Sequence, residues 1–191
     1  MPNPTYNVPA NRSPIADRNG IVGRDWYRFF FNIMAQITAT NDQVALIGTG
    51  PAISVFASAA QGLPDNVHTR IVFDGVQFDT NNNFANSTFT PTVAGYYQIN
   101  AHVALAAYAI PAGSGETVVA IYRNNVMFSY GMDSISGPTS HITVTTNSDL
   151  VYLNGTTDFI DVRLYQKTGA TINTQPGANY TRLSAFLARP A

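Results

Sequence analysis

From Tyr96 to Leu105 the chain alternates with a period of two. Tyr97, Ile99, Ala101, Val103 and Leu105 are apolar or aromatic, and Tyr96, Gln98, Asn100 and His102 between them carry polar groups. Successive side chains of a strand point to opposite faces, so a run of this kind sets one face on a core and leaves the other to water or a neighbouring subunit. The stretch before it reads as strand, turn, short strand and Pro-Gly turn: Val72 to Phe84 with Asp79 to Asn83 as the turn, then Phe89-Thr90-Pro91 and Ala94-Gly95. Composition agrees. The chain has one Lys (Lys167) and one Glu (Glu116) against abundant Thr and Asn, and it is the Lys and Glu type that fills exposed helix positions. The expectation is a mostly β, antiparallel sandwich.

At 191 residues and 45% hydrophobic, the chain can build one ordinary domain plus an extension. Its net charge is −1 with no basic cluster, which argues against a nucleic-acid partner. Only 11% of residues are charged, well below the ~25% of typical soluble proteins. Such a surface, built on Asn, Thr and Tyr, hints at assembly. No cysteine is present, and a sandwich of this size does not need disulfides. Residues 1–6 are polar and Pro-rich, unlike a signal peptide, and no apolar run reaches the ~18–20 residues of a membrane span.

The N-terminal part is organised differently. Residues 1–20 hold Pro2, Pro4, Pro9, Pro14 and Gly20 without periodicity, the composition of an extended arm. Arg24 to Ile37 is expected as a short helix, because Trp26, Phe29, Phe30, Ile33 and Ile37 recur at helical spacing, with Tyr27, Phe31 and Met34 beside them. So greasy a helix needs partners: its own domain, its copies on a trimer axis, or another protein. Asn19-Gly20 suits a tight turn. Arg18, Arg24 and Arg28 place cations beside the aromatic cluster, suited to cation–π contacts or a partner's carboxylates. Arg18, Arg24, Trp26, Tyr27, Arg28, Phe29, Phe30 and Ile33 are therefore the candidate docking residues. Thr38 to Gly50 reads as a linker with no repeat in it. Gly48-Thr49-Gly50-Pro51 marks the boundary between an anchor segment, 1–49, and a domain, 50–191.

Signs of catalysis are weak. Gly113-Ser114-Gly115 reads as a flexible turn and matches no nucleophile motif. Asp74 and Asp79 read as a solvated strand residue and a turn cap, not as a carboxylate pair across a cleft. His68, His102 and His141 fall in separate elements, without metal-pair spacing. No phosphate-binding glycine loop occurs. A non-enzymatic chain without cofactor or metal is the expectation.

The order of pieces resembles the globular head of the C1q family. Ile53–Ser58 and Gln61–Pro64 look like its first strand and turn, and the order and spacing of Val72 to Ile99 follow it closely. Ile121-Tyr122-Arg123-Asn124 looks like its central strand and Asn-containing turn, Asp158 to Gln166 like its penultimate strand, and Tyr180 to Leu187 like its closing strand. The resemblance implies a C1q-like jelly roll that assembles as a homotrimer, with Tyr96, Gln98, Asn100 and His102 near the subunit interface. The expected core is Tyr97, Ile99, Val103, Leu105, Val162, Leu164, Phe186 and Leu187. Some heads of this family bind calcium near the trimer apex, where Asp133, Asp149 and Asp158 would be loop candidates; their spacing matches no calcium loop. A second resemblance covers Pro14 to Val22 running into Arg24–Phe30, which looks like the opening segment of certain tailed-phage virion proteins. Together these imply a trimeric virion-surface protein docked on the major capsid protein or another virion protein: a capsid decoration or cement protein, or a short head fibre. The alternative is a tail-fibre or adhesin knob recognising a host surface glycan, with Tyr108, Tyr122, Tyr130 and Tyr180 for sugar stacking. A long fibre needs a repetitive shaft, and none is expected between Thr38 and Pro51.

Overall fold

The alternating run is the central strand of the fold. In a computed structural model that describes residue 9 and residues 14–109, 114–136 and 140–191, it spans Gly95–Ala109. In chain order the elements are α1 (Arg24–Thr49), β1 (Ala52–Phe56), β2 (Gly62–Leu63), β3 (Thr69–Arg70), β4 (Gly75–Asp79), β5 (Phe84–Ala85), β6 (Thr88–Phe89), β7 (Gly95–Ala109), β8 (Ser114–Arg123), β9 (Val126–Ser136), β10 (Ser140–Leu153), β11 (Ile160–Lys167), β12 (Ile172–Asn173) and β13 (Arg182–Pro190). The chain divides into two compact units, 1–48 and 49–191.

In the larger unit the strands pair antiparallel. One sheet runs β10-β7-β13-β1-β4, and the other runs β5-β6-β11-β8-β9 with β3 also on β11. This is the expected jelly-roll sandwich. The core lies between the sheets: Ile53, Val55, Ile99, Val103, Leu105, Val119, Ile121, Val162, Leu164 and Leu183 are all buried. Tyr97 is buried too; it donates its hydroxyl to the Val93 carbonyl at 2.7 Å and meets Phe89 edge-on at 5.5 Å. Burial holds its phenol protonated far above the usual range.

One expected core residue is not in the core. Phe186 is 47% exposed, because Leu183, Ala185 and Leu187 take the inward parity of β13 and leave it pointing out. Asp79 is the turn cap anticipated, accepting from the Asn83 and Phe84 N–H groups at 3.0 and 2.9 Å. Asp74 is more than solvated: it accepts from the Ser58 hydroxyl and N–H at 2.7 and 2.6 Å. Ser114 and Gly115 lie in β8, not in a turn, and Gly113 lies outside the described residues.

The two sheets come together along one side, where edge strands β9 and β10 cross closely. The Thr117 and Thr145 hydroxyls share a hydrogen bond at 2.6 Å, and Asn147 Nδ2 donates to Ser129 Oγ at 3.1 Å. Gly131 permits the approach, since a Cβ there would run into the Thr146 carbonyl.

The smaller unit departs further from expectation. Of the arm, residue 9 and residues from 14 are described, and 14–23 form a miniature hairpin rather than extended chain. Asp17 N–H donates to the Ile21 carbonyl at 2.8 Å, and Asp17 Oδ1 accepts from the Asn19 and Ile21 N–H groups. Gly20 takes the expected positive φ of 80° in the turn. The Gly23 carbonyl accepts from the Tyr27 N–H at 2.9 Å, opening α1. The helix does not stop at Ile37; it continues through the stretch read as a linker, which has no Pro or Gly before Gly48 to end it. Thr38 fits by donating its hydroxyl to the Met34 carbonyl at 3.0 Å. No helix among the described residues is long and apolar enough to cross a membrane.

Candidate assembly surfaces

The four candidate interface residues stand together on the outer face of the β10-β7-β13-β1 layer. Strand register aligns Tyr152, Tyr96 and Arg189 in one row, then Leu150, Gln98 and Phe186, then Ser148, Asn100 and Ser184, then Thr146, His102 and Arg182. At its centre the face is uncharged and internally bonded: Gln98 Nε2 donates to Ser148 Oγ at 2.9 Å, and Ser148 Oγ donates to Asn100 Oδ1 at 2.7 Å. Around these lie Tyr96 and Tyr152 in edge-to-face contact at 5.4 Å, with Leu150 and Phe186 exposed. Aromatic and aliphatic groups around neutral polar ones suit a protein interface better than open solvent.

The His102 row carries the electrostatics. Burial, and then the Arg182 guanidinium beside it, lower the His102 pKa below its ordinary 6.5. The imidazole is therefore neutral at physiological pH. Among the described residues, the buried Nε of Arg182 has no hydrogen-bond partner. An orphan buried donor is costly, and an acceptor from a second chain would relieve it.

Sequence reasoning missed the polar centre on the outside of the other sheet. Asp161, fully buried, accepts from Arg163 Nε at 2.6 Å and from Arg70 at 3.1 Å, and Arg163 lies 4.1 Å over the Tyr122 ring. These contacts raise the Arg163 pKa, chiefly through the hydrogen bond to Asp161. His68 tilts against Tyr165 at 5.0 Å. The Asp161-x-Arg163 spacing on one strand face was the available signal; that Arg70 joins from β3 was not readable.

The calcium candidates are not loop ligands as a set. Asp133 lies in β9 and Asp149 in β10, while Asp158 precedes β11. Asp158 is already bound: Arg123 donates to it at 2.7 Å, Asn124 at 2.7 Å and the Asn154 N–H at 3.0 Å. Burial pushes its pKa up, but these donors and the Arg123 charge outweigh that and leave it below normal. Among the described residues no group of three or more His, Cys, Asp or Glu could hold a metal ion. Of the sugar-stacking candidates, Tyr122 is buried beneath Arg163, the Tyr108 side chain lies outside the described residues, and Tyr130 and Tyr180 are exposed on separate elements.

Of the docking candidates, Arg18 lies in the hairpin turn and the others lie in the first three turns of α1. Trp26 stacks on Phe30 at 5.6 Å and meets Phe29 edge-on at 5.7 Å, and Tyr27 stacks on Phe31 at 6.4 Å. Exposure is uneven: Trp26, Phe29 and Ile33 are half-buried, whereas Tyr27 is 63% exposed and its neighbours Phe31 and Met34 64% and 61%. Among the described residues Arg18, Arg24 and Arg28 make no ion pair and no cation–π contact.

Strand order, register and core define the larger unit as a jelly roll of the C1q/TNF type. The globular domain of zebrafish complement 1qA is similar at a TM-score of 0.50 and 16% identity, over 74% of this chain and 99% of that one. The Eiger TNF of S. frugiperda is similar at 0.56 and 9%, over 74% and 95%. Murine APRIL is similar at 0.51 and 11%, over 72% and 98%. Likeness at these identities establishes the fold. No protein-family model and no curated protein matches the sequence.

Proposed function

We propose that the chain is a non-enzymatic homotrimeric protein of a bacteriophage virion, a capsid decoration or cement protein or a short head fibre. The observation that carries this reading is the division of labour between the units. The jelly roll presents an aromatic face that is uncharged at its centre and bordered by Arg182 and Arg189, fit for its own copies. The N-terminal unit exposes aromatic and Arg side chains, the usual energetic anchors of an interface. The resemblance of residues 14–30 to the opening of tailed-phage virion proteins supplies the partner class, the major capsid protein or another virion protein. Arg18, Arg24, Trp26, Tyr27, Arg28, Phe29, Phe30 and Ile33 form the docking set, and Tyr96, Gln98, Asn100 and His102 the trimer face.

The test adds purified protein to particles that lack it. The full chain is expected to co-sediment with particles, and a form beginning at Gly50 to remain in the supernatant. Equal binding by both forms would move attachment to the jelly roll. Binding of neither, with capture of host glycan by both, would favour the adhesin reading.

A further inference from the structure

The helix carries a repeat that becomes visible once α1 is known to continue past Ile37. Trp26, Phe30, Ile33, Ile37, Thr40 and Val44 follow one another at spacings of 4, 3, 4, 3 and 4 residues. This is the a/d alternation of a coiled coil, with Phe30, Ile37 and Val44 at a and Trp26, Ile33 and Thr40 at d. Thr40 is the only polar member. A strict seven-residue repeat turns one narrow seam toward partner helices and imposes a left-handed supercoil.

The a positions of the seam are open: Phe30 is 44% exposed, Ile37 48% and Val44 64%. Charge placement says which partner fits. The flanking e and g positions are Tyr27, Phe29, Met34, Gln36, Asn41 and Gln43, and none is charged. The four charges of α1, on Arg24, Asp25, Arg28 and Asp42, fall at b, c and f, on the far side. Identical helices side by side in the same direction therefore meet no like charge across the seam. Residue choice also sets the number of strands, since Ile at both a and d, here Ile37 and Ile33, shifts preference from two strands toward three or more.

We infer that α1 binds two further copies of itself, forming a parallel three-helix coiled coil along the Trp26–Val44 seam directly before the jelly roll. The inference rests on the trimer proposed above, but not on the virion assignment. It also divides the docking set. Trp26, Phe30 and Ile33 belong to the seam, and Arg18, Arg24 and Arg28 are left outside it for a particle.

The chain has no cysteine, so single substitutions report on the seam directly. Full-length Ile37→Cys places a thiol at a, and Ala35→Cys places one at f on the outside. Each is treated with a short bis-maleimide and run under denaturing, reducing conditions. One linker joins two of three seam thiols, so Ile37→Cys should yield a two-chain band holding up to about two of every three chains, and Ala35→Cys at most a trace. An antiparallel pairing centred on the seam would leave the Ile37 copies about 6 Å apart along the axis but the Val44 copies about 27 Å apart. A two-chain band from Val44→Cys is therefore expected of the parallel bundle, and its absence overturns the parallel order. Should Ile37→Cys fail to assemble, Val44→Cys tests the next a layer. Absence of the band in protein that sediments as a trimer, or equal bands from the a and f variants, overturns the coiled coil and leaves the trimer standing. A monomer in sedimentation overturns both. Loss of particle binding with the band intact counts against the virion assignment alone and supports the bundle.

Discussion

At the residue scale, His102 and two carboxylates set separate acid limits. A His whose folded pKa lies below its unfolded value of 6.5 binds its proton more readily when the chain unfolds. Its contribution is complete above 6.5 and is lost as pH falls from there toward the folded pKa. Asp74 works in the other sense. The Ser58 hydroxyl, then the Ser58 N–H, hold its pKa below 3.8, as the donors around Asp158 do for that residue. The stability they give is present above 3.8 and is lost as pH falls through their folded values. The urea midpoint should therefore decline in two steps on acidification, and His102→Gln should remove the first while sparing the second. An unchanged slope just below pH 6.5 in the variant would assign that step to another group. Phe186 shows the limit of reading single residues. Its size suggested core, but parity against Leu183, Ala185 and Leu187 decided its side.

At the scale of elements, period-two alternation was legible wherever one face of a strand is buried. That is why β7 could be located, and with it Tyr96, Gln98, Asn100 and His102 on one face; β11 and β13 were placed by their resemblance to strands of the C1q head. The edge strands were less legible. β9 alternates exposed Tyr130 and Met132 with small residues and blurs into loop composition, as does the start of the inner strand β8 at Ser114 and Gly115. The helix outruns its aromatic half because the repeat continues through the smaller Thr40 and Val44, whose surrounding residues have loop-like composition. The crossing of β9 and β10 was invisible in sequence, since only the fold brings Gly131 against Thr146. Gly131→Ala tests that crossing. Forcing a methyl into packed backbone costs ~1–3 kcal/mol, so the variant's urea midpoint should fall with an unchanged slope. A midpoint equal to the parent's would mean the edge strands part without cost.

For the whole molecule, the question is what two weak surfaces achieve together. The outer sheet face is mixed polar and aromatic, and a single such patch of ordinary size need not hold three chains at low concentration. A three-helix seam this short is also marginal alone. The two lie in one chain with only Gly50 and Pro51 between α1 and β1, so closing either holds the other at high effective concentration. Linkage of this kind strengthens assembly by roughly 10²–10⁴-fold with no new contact. The full chain should then remain trimeric on dilution to concentrations at which the form beginning at Gly50 has dissociated, as mass photometry or sedimentation velocity can follow. Seam variants should narrow that interval by raising the full chain's end alone, whereas His102→Gln should move both ends to higher concentration. If both forms dissociate at the same concentration, the helices add nothing to assembly. The exposed seam of α1 would then have to be covered by something other than its own copies.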